Sequence, residues 1–151
     1  PFAIMGSEVP FPFTPRPSAF LVEGLPDGVI AGMPLLEELG IPTRLASAAG
    51  QPGCHPGFVT DLARDWLATL EDPSEVEVFA CGPTPMLRAV QELAAEFGLP
   101  CQLSLEEYMA CAVGGCAGCA VPIRQGEAVA MKRVCVDGPV FEAAEVVFSR
   151  S

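Results

Sequence analysis

Basic residues are scarce in this chain. Eight lysines and arginines stand against nineteen acids, a formal net charge of −11. They are scattered, and the largest basic cluster is Lys132–Arg133. Phosphate backbones and anionic membrane surfaces need concentrated positive charge, so neither nucleic acid nor a membrane is an expected partner. Histidine occurs once, at His55, beside Cys54 in a Gly/Pro-rich stretch. That leaves no credible Ser–His–Asp or Cys–His catalytic arrangement. No uncharged run is long and apolar enough to span a bilayer; the longest, Tyr108 to Ile123, is broken by glycines and Pro122. No secretory signal is visible. Nor does a G-x-G-x-x-G loop occur, so a complete dinucleotide-binding fold is not expected within residues 1–151.

Apolar residues are plentiful. They make up half of the 151 residues, and the mean hydropathy is +0.40. Such a chain folds, and its strands are expected to be buried on both faces or to offer apolar surface to a partner. Seven cysteines, an odd number with three of them inside nine residues, do not suit a secreted disulfide scaffold. They point to a reducing, cytoplasmic compartment in which thiolates are kept for metal. The chain starts at Pro1 and enters an apolar stretch at once, which reads as a strand separated from an element before it.

Periodicity places short strands at Phe2–Met5 and Ala19–Val22, with a proline-rich loop from Gly6 to Ser18 between them. A short helix is expected over Met33–Leu39. From Thr43 the order is strand, helix, strand, helix, strand. The strands are Thr43–Ser47, Glu75–Ala80 and Cys101–Leu105. The first helix, Phe58–Leu70, has an apolar face of Val59, Leu62, Ala63, Trp66, Leu67 and Leu70. The second begins near Pro85, with Thr84 as its expected N-cap. Met86, Ala89, Val90, Leu93 and Phe97 form its face, and Gly98 stops it. This alternation argues for an open parallel α/β sheet. After Glu107 glycine and cysteine take over, which sets an expected boundary near residue 105 between domains 1–105 and 106–151.

Cys111, Cys116 and Cys119 stand in C-x4-C-x2-C spacing, and Cys135 follows after fifteen residues. Plant-type [2Fe–2S] sites use this pattern, with three ligands on one curled loop and a fourth returning from elsewhere. Such a loop needs residues that tolerate positive φ, and Gly114, Gly115 and Gly118 lie between the cysteines. A hairpin from Val121 to Val134 would carry Cys135 back. Zinc is the competing reading. It usually takes two C-x2-C pairs or Cys/His pairs, and only one C-x2-C is present. Lys132 and Arg133 would either offset cluster charge or simply be solvated. Cys54 and Cys101 read as packed thiols.

Cys81-Gly82-Pro83 lies where a buried strand gives way to a helix. Ligands of open α/β sheets bind outside the carboxyl ends of the strands, and a glycine there permits close approach. Gly-Pro is also ordinary punctuation at such a turn, so both readings stand.

Three stretches together, Val78–Leu87, Ser104–Cys111 and Arg133–Phe141, resemble the electron-transfer subunits of the NAD-dependent, two-subunit dihydroorotate dehydrogenases. These belong to the ferredoxin–NADP reductase superfamily. The resemblance covers about residues 43 to 146. It implies a truncated parallel-sheet nucleotide-binding domain followed by a small [2Fe–2S] domain. Cys111, Cys116, Cys119 and Cys135 would hold the cluster, and Cys81, Gly82 and Pro83 would lie by the nicotinamide end of NAD(H). The implied partner is a catalytic dehydrogenase subunit, and electrons would pass from it through the cluster and FAD to NAD. Two departures accompany the match. Ala112 stands where the family usually has glycine. The FAD-binding domain and the first strand–helix unit of the NAD domain have no counterpart in residues 1–151. The chain alone is therefore expected to be unable to oxidise or reduce NAD.

Overall fold

A computed structural model describes residues 1–111 and 113–148. Ala112, where the family pattern has glycine, lies outside the described residues. The chain forms two compact units, Pro1–Pro73 and Ser74–Ser151. The boundary expected near residue 105 falls inside the second of these, because the segment after it returns to pair with the strand before it.

The first unit is built on β1 (Ala3–Ser7) and β4 (Thr43–Ser47), which pair in parallel from Ala3↔Thr43 to Ser7↔Ser47. All of β4 is buried, Leu45 and Ala46 completely. A strand that alternates Thr, Leu and Ser yet stays fully inside is covered on both faces. Two short strands, β2 (Arg16–Pro17) and β3 (Ala31–Gly32), pair antiparallel, and α1 spans Pro34–Glu38. Helix α2 (Val59–Leu67) buries Thr60, Leu62 and Leu67, while Trp66 stays half-buried with its ring edge-on to Phe2 at 5.2 Å.

The strand expected at Ala19–Val22 does not form. Its backbone donors go to side chains instead: Ala19 N–H to the Glu37 carboxylate at 3.1 Å and Phe20 N–H to the Ser18 hydroxyl at 3.1 Å. Leu21 is left exposed. The same Glu37 carboxylate accepts from the Ser18 hydroxyl and from the Thr43 backbone and hydroxyl. Burial pushes the Glu37 carboxyl up. The hydrogen bonds from Ser18, Thr43 and Ala19 outweigh it and hold the group below its usual range.

The second unit centres on β6 (Cys101–Ser104). It pairs in parallel with β5 (Val78–Cys81) and antiparallel with β9 (Val140–Glu142). Leu103 is the middle of that sheet, fully buried, opposite Ala80 on one side and Phe141 on the other. Helix α3 (Thr84–Phe97) covers the sheet with Leu87, Val90, Leu93 and Ala94. The expected stripe is thus turned. Leu87 is inside, and Met86 and Ala89 are half-buried. Thr84 is the first helical residue rather than the cap, with Pro83 before it. Gly98 ends the helix in the left-handed conformation (φ 67°), and Leu99 N–H closes back on the Ala94 carbonyl at 2.8 Å.

From β6 the chain leaves on an excursion. It includes the hairpin of β7 (Ala120–Gln125) and β8 (Ala128–Arg133) and the short helix α4 (Val134–Asp137). The excursion is closed at its neck by Leu105 N–H donating to the Pro139 carbonyl at 2.9 Å, just before β9. A bridge between Ile123 and Val146 and a 2.8 Å bond from the Gln91 side chain to the Val146 carbonyl tie the end of the chain to the hairpin and to α3.

Removing the centre of this sheet tests the arrangement. Leu103→Ala is expected to cost about 2–5 kcal/mol in urea unfolding, whereas the neighbouring Gln102→Ala should cost less than about 1 kcal/mol. Equal midpoints for the two variants would refute the burial argument.

Candidate metal centre

Cys111 lies past the end of β6, and the loop after it curls back through Cys116 to Cys119, which immediately precedes β7. Cys135 sits on α4, which the hairpin delivers to the same place. The register is held by Val134, a fully buried side chain whose N–H donates to the Cys119 carbonyl at 3.0 Å. As a result Cys119 and Cys135, far apart in sequence, have their Sγ atoms 3.2 Å apart. At the other end of the loop the Cys116 thiol hydrogen-bonds to Cys111. The thiols therefore fall into two pairs, Cys111 with Cys116 and Cys119 with Cys135. The hydrogen bond with Cys119 and burial push the Cys135 thiol up, and the charges of Cys119 and Cys111 add to this, so the pairs feel one another.

The loop aims backbone donors at sulfur. Hydrogen bonds from the Cys116 and Val113 backbones lower the Cys111 thiol to about 6. Gly118 N–H points at Cys116 Sγ, 3.4 Å away. The Cys119 thiol is lowered too, chiefly by the Cys135 backbone. Anionic sulfur is thus favoured at two of the four positions. Among the described residues, no set of three or more His, Cys, Asp or Glu side chains converges where one metal ion could sit.

Positive φ is distributed differently from the expectation. Of the three glycines between the cysteines only Gly114 has it (φ 74°), and among the described residues of the loop the other left-handed one is Ala117 (φ 54°). Gly114 also has no room for a side chain, since a Cβ there would lie 2.4 Å from Val136 Cγ2. Arg133 is not merely solvated. Its Nη1 donates to the Gly114 carbonyl at 2.7 Å, and its own backbone N–H donates to Asp137 Oδ2 at 2.8 Å. Nothing in the sequence singled out Asp137 for this.

Cys81 lies exposed at the carboxyl end of β5, with Gly82 and Pro83 leading into α3. The missing side chain of Gly82 leaves space taken by the Met86 thioether. Cys101 is buried in β6 and burial raises its thiol to about 11. Cys54 is half-buried in the first unit, and burial raises its thiol as well.

These contrasts predict the order of thiol reactivity in the metal-free chain. At pH 7 iodoacetamide should label Cys111 well before Cys101, because the lowered group is thiolate there and the raised one is not. Lowering the pH through about 6 should protonate Cys111 and slow its labelling. Peptide mapping by mass spectrometry reads both; equal rates at Cys111 and Cys101 would contradict the assignment.

Residues 106–147 match the iron–sulfur cluster binding domain of dihydroorotate dehydrogenase B. The chain is 45% identical over 92 residues to the dihydroorotate dehydrogenase B (NAD(+)) electron transfer subunit of Caldanaerobacter subterraneus subsp. tengcongensis, covering 61% of this chain and 35% of that one. It is 39% identical to the subunit of the same name from a Geobacillus species, over 70% of this chain and 37% of the relative. A homologue of that subunit in Aquifex aeolicus is 38% identical, over 74% and 40%. The chain thus spans little more than a third of the length of these relatives. Among solved structures, an NADH-dependent reduced ferredoxin–NADP oxidoreductase studied for flavin-based electron bifurcation superposes with a TM-score of 0.59. It is 31% identical, over 78% of this chain and 40% of that one. The fold is that of a truncated ferredoxin–NADP reductase nucleotide domain with a cluster domain after it. Residues 106–147 are thus similar to the iron–sulfur cluster binding domain of dihydroorotate dehydrogenase B, and 61–74% of the chain aligns with part of the electron-transfer subunits of that name.

Proposed function

We propose that the chain holds a [2Fe–2S] cluster on Cys111, Cys116, Cys119 and Cys135 and works as the electron-transfer portion of an NAD-linked dihydroorotate dehydrogenase. The observation that carries this reading is the arrangement of the thiols as two pairs within a matching cluster domain. A two-iron group asks for that, two thiolates for each iron. Structural zinc usually takes two C-x2-C pairs or Cys/His pairs, and only one C-x2-C is present. The all-sulfur donor set and the N–H groups directed at Cys111 and Cys116 also suit an anionic cluster. When bound, the cluster supplies one-electron transfer between flavins. The protein's part is to hold four sulfurs in place, donate hydrogen bonds to them, and keep the Cys119–Cys135 side shielded by the hairpin and α4.

The partner is proposed to be the catalytic flavoprotein subunit that oxidises dihydroorotate, and the terminal acceptor NAD. Cys81, Gly82 and Pro83, at the carboxyl end of β5, are proposed to face the nicotinamide end of NAD, within a partial nucleotide domain of residues 1–105. No glycine-rich phosphate loop occurs in residues 1–151, so these residues alone leave the pyrophosphate of NAD or FAD unheld. Residues 106–151 form the cluster domain in this reading. No helix among the described residues is long and apolar enough to cross a membrane, and a reducing cytoplasm suits four unoxidised cluster thiols. A second reading is favoured by the solved relative, which serves ferredoxin and NADP rather than dihydroorotate. The same cluster portion would then belong to a related reductase-like subunit serving another dehydrogenase or a hydrogenase.

Iron and acid-labile sulfide in anaerobically purified protein test the cluster. About two of each per chain are expected, with a rhombic EPR signal after dithionite. Zinc without iron would overturn the reading. Serine at Cys111, Cys116, Cys119 or Cys135 should each lower the iron content several-fold, and Cys101→Ser should leave it unchanged; about a tenfold loss is ordinary for a metal-site variant. Mixed with NADH and no flavin, the isolated chain should show no oxidation, and measurable turnover would refute the incomplete nucleotide site. Co-purification with a dihydroorotate-oxidising subunit, rather than with a ferredoxin-dependent one, separates the two readings of the partner.

A further inference from the structure

We propose that Arg133 is a positioning residue for the cluster, clamping the loop between Cys111 and Cys116 onto the short helix that carries Cys135. The inference rests on the cluster reading above and adds a residue to it that is not one of the sulfur donors.

The four proposed ligands come from two pieces of chain that share no regular pairing at Gly114. Cys119 is tied to the hairpin by the Val134 N–H. Among its described residues the Cys111–Cys116 stretch has no such ladder, and its hold on α4 is local. There Gly114 sits against Val136, so closely that a Cβ would come within 2.4 Å of Val136 Cγ2. Its carbonyl receives Arg133 Nη1 at 2.7 Å. Arg133 Nε lies 3.5 Å from Asp137 Oδ2, and the Arg133 backbone N–H donates to the same oxygen at 2.8 Å. Asp137 thus orients the guanidinium from the far end of α4 while Nη1 reaches the loop.

One planar guanidinium therefore meets two partners, the loop carbonyl and the helix carboxylate. Arginine suits that task because its donors leave in fixed directions, whereas a lysine ammonium is a single point on a flexible stem. Groups that orient the ligands of a metal site without touching the metal commonly control how tightly it is held. Val134, next in sequence, is fully buried, so the backbone from which Arg133 reaches is anchored.

The test uses the full chain loaded anaerobically with iron and sulfide. It compares the parent with Arg133→Met and Arg133→Lys. Three quantities are read: iron release to a ferrous chelator, the EPR spectrum of the reduced protein, and the urea midpoint of the metal-free form. Arg133→Met is expected to release iron about tenfold faster than the parent, with a broadened EPR signal and an unchanged midpoint. Arg133→Lys keeps the charge but loses the fork, and should fall between the two. Parent-like release and EPR in Arg133→Met would overturn the clamp. So would faster release accompanied by a matching fall of the metal-free midpoint, which marks a role in folding alone. Should Arg133→Met not accumulate folded, Arg133→Lys decides: release faster than the parent supports the clamp, and parent-like release overturns it. A parent chain that takes up no iron and sulfide would overturn the cluster reading itself, a different outcome from a loaded parent indifferent to Arg133.

Discussion

Everything in the second unit hangs on the two-sided pairing of β6. On one edge it meets β5 in parallel, and on the other it meets β9 antiparallel, with Leu103 sealed between Ala80 and Phe141. The chain leaves β6 toward Cys111 and comes back through Cys135 into β9. Pairing β9 against β6, and closing the neck from Leu105 to Pro139, therefore brings the two ends of the cysteine excursion to one place. Burial of a few apolar side chains, each contributing roughly 2–3 kcal/mol, thus anchors a loop whose own large apolar side chains, Tyr108, Met109 and Val113, stay exposed.

Holding thiolates together is electrostatically unfavourable, and the loop answers with polar contacts rather than with burial. Backbone N–H groups of Cys116 and Val113 lower the Cys111 thiol, and the Cys135 backbone does so for Cys119. Cys135 is pushed the other way, because it hydrogen-bonds with Cys119, is partly buried and faces the charge of its neighbours. A metal-free site in this state holds some thiols ready and keeps others protonated. Binding of a cationic iron core removes that conflict, which is why metal uptake and local ordering are expected to be coupled here. The contrast with Cys101 is instructive. It lies in a core strand, has no donors aimed at its sulfur, and is held as a neutral thiol by burial.

Much of the secondary structure was legible from periodicity and punctuation. Thr43–Ser47 is a strand with the expected bounds, and Gly98 stops α3. The hairpin ahead of Cys135 also forms where its spacing placed it. The misses have local causes. Ala19–Val22 has the composition of a strand, yet Glu37 and the Ser18 hydroxyl capture its donors, and a carboxylate arriving from a helix nineteen residues away leaves no periodic trace. The face of α3 was turned by about one position, because Met86 and Leu87 are equally apolar and only the sheet beneath selects between them. Glycine content suggested three flexible points in the cysteine loop, but one glycine and Ala117 take the left-handed conformation.

By itself the sequence determined the chemistry available to this protein. Three cysteines at C-x4-C-x2-C with a distant fourth point to a candidate sulfur donor set, because ligand spacing on one loop is a local property of the chain. The acidic charge, the single histidine and the missing glycine-rich loop excluded other chemistries in the same local way. Only the tertiary structure decided how those donors are grouped. The pairing of Cys119 with Cys135, the distance between them and the reach of Arg133 from Asp137 to Gly114 depend on strand register and on packing at Val134 and Val136. Register and packing are set by contacts between residues remote in sequence, and no pattern along the chain carries that information.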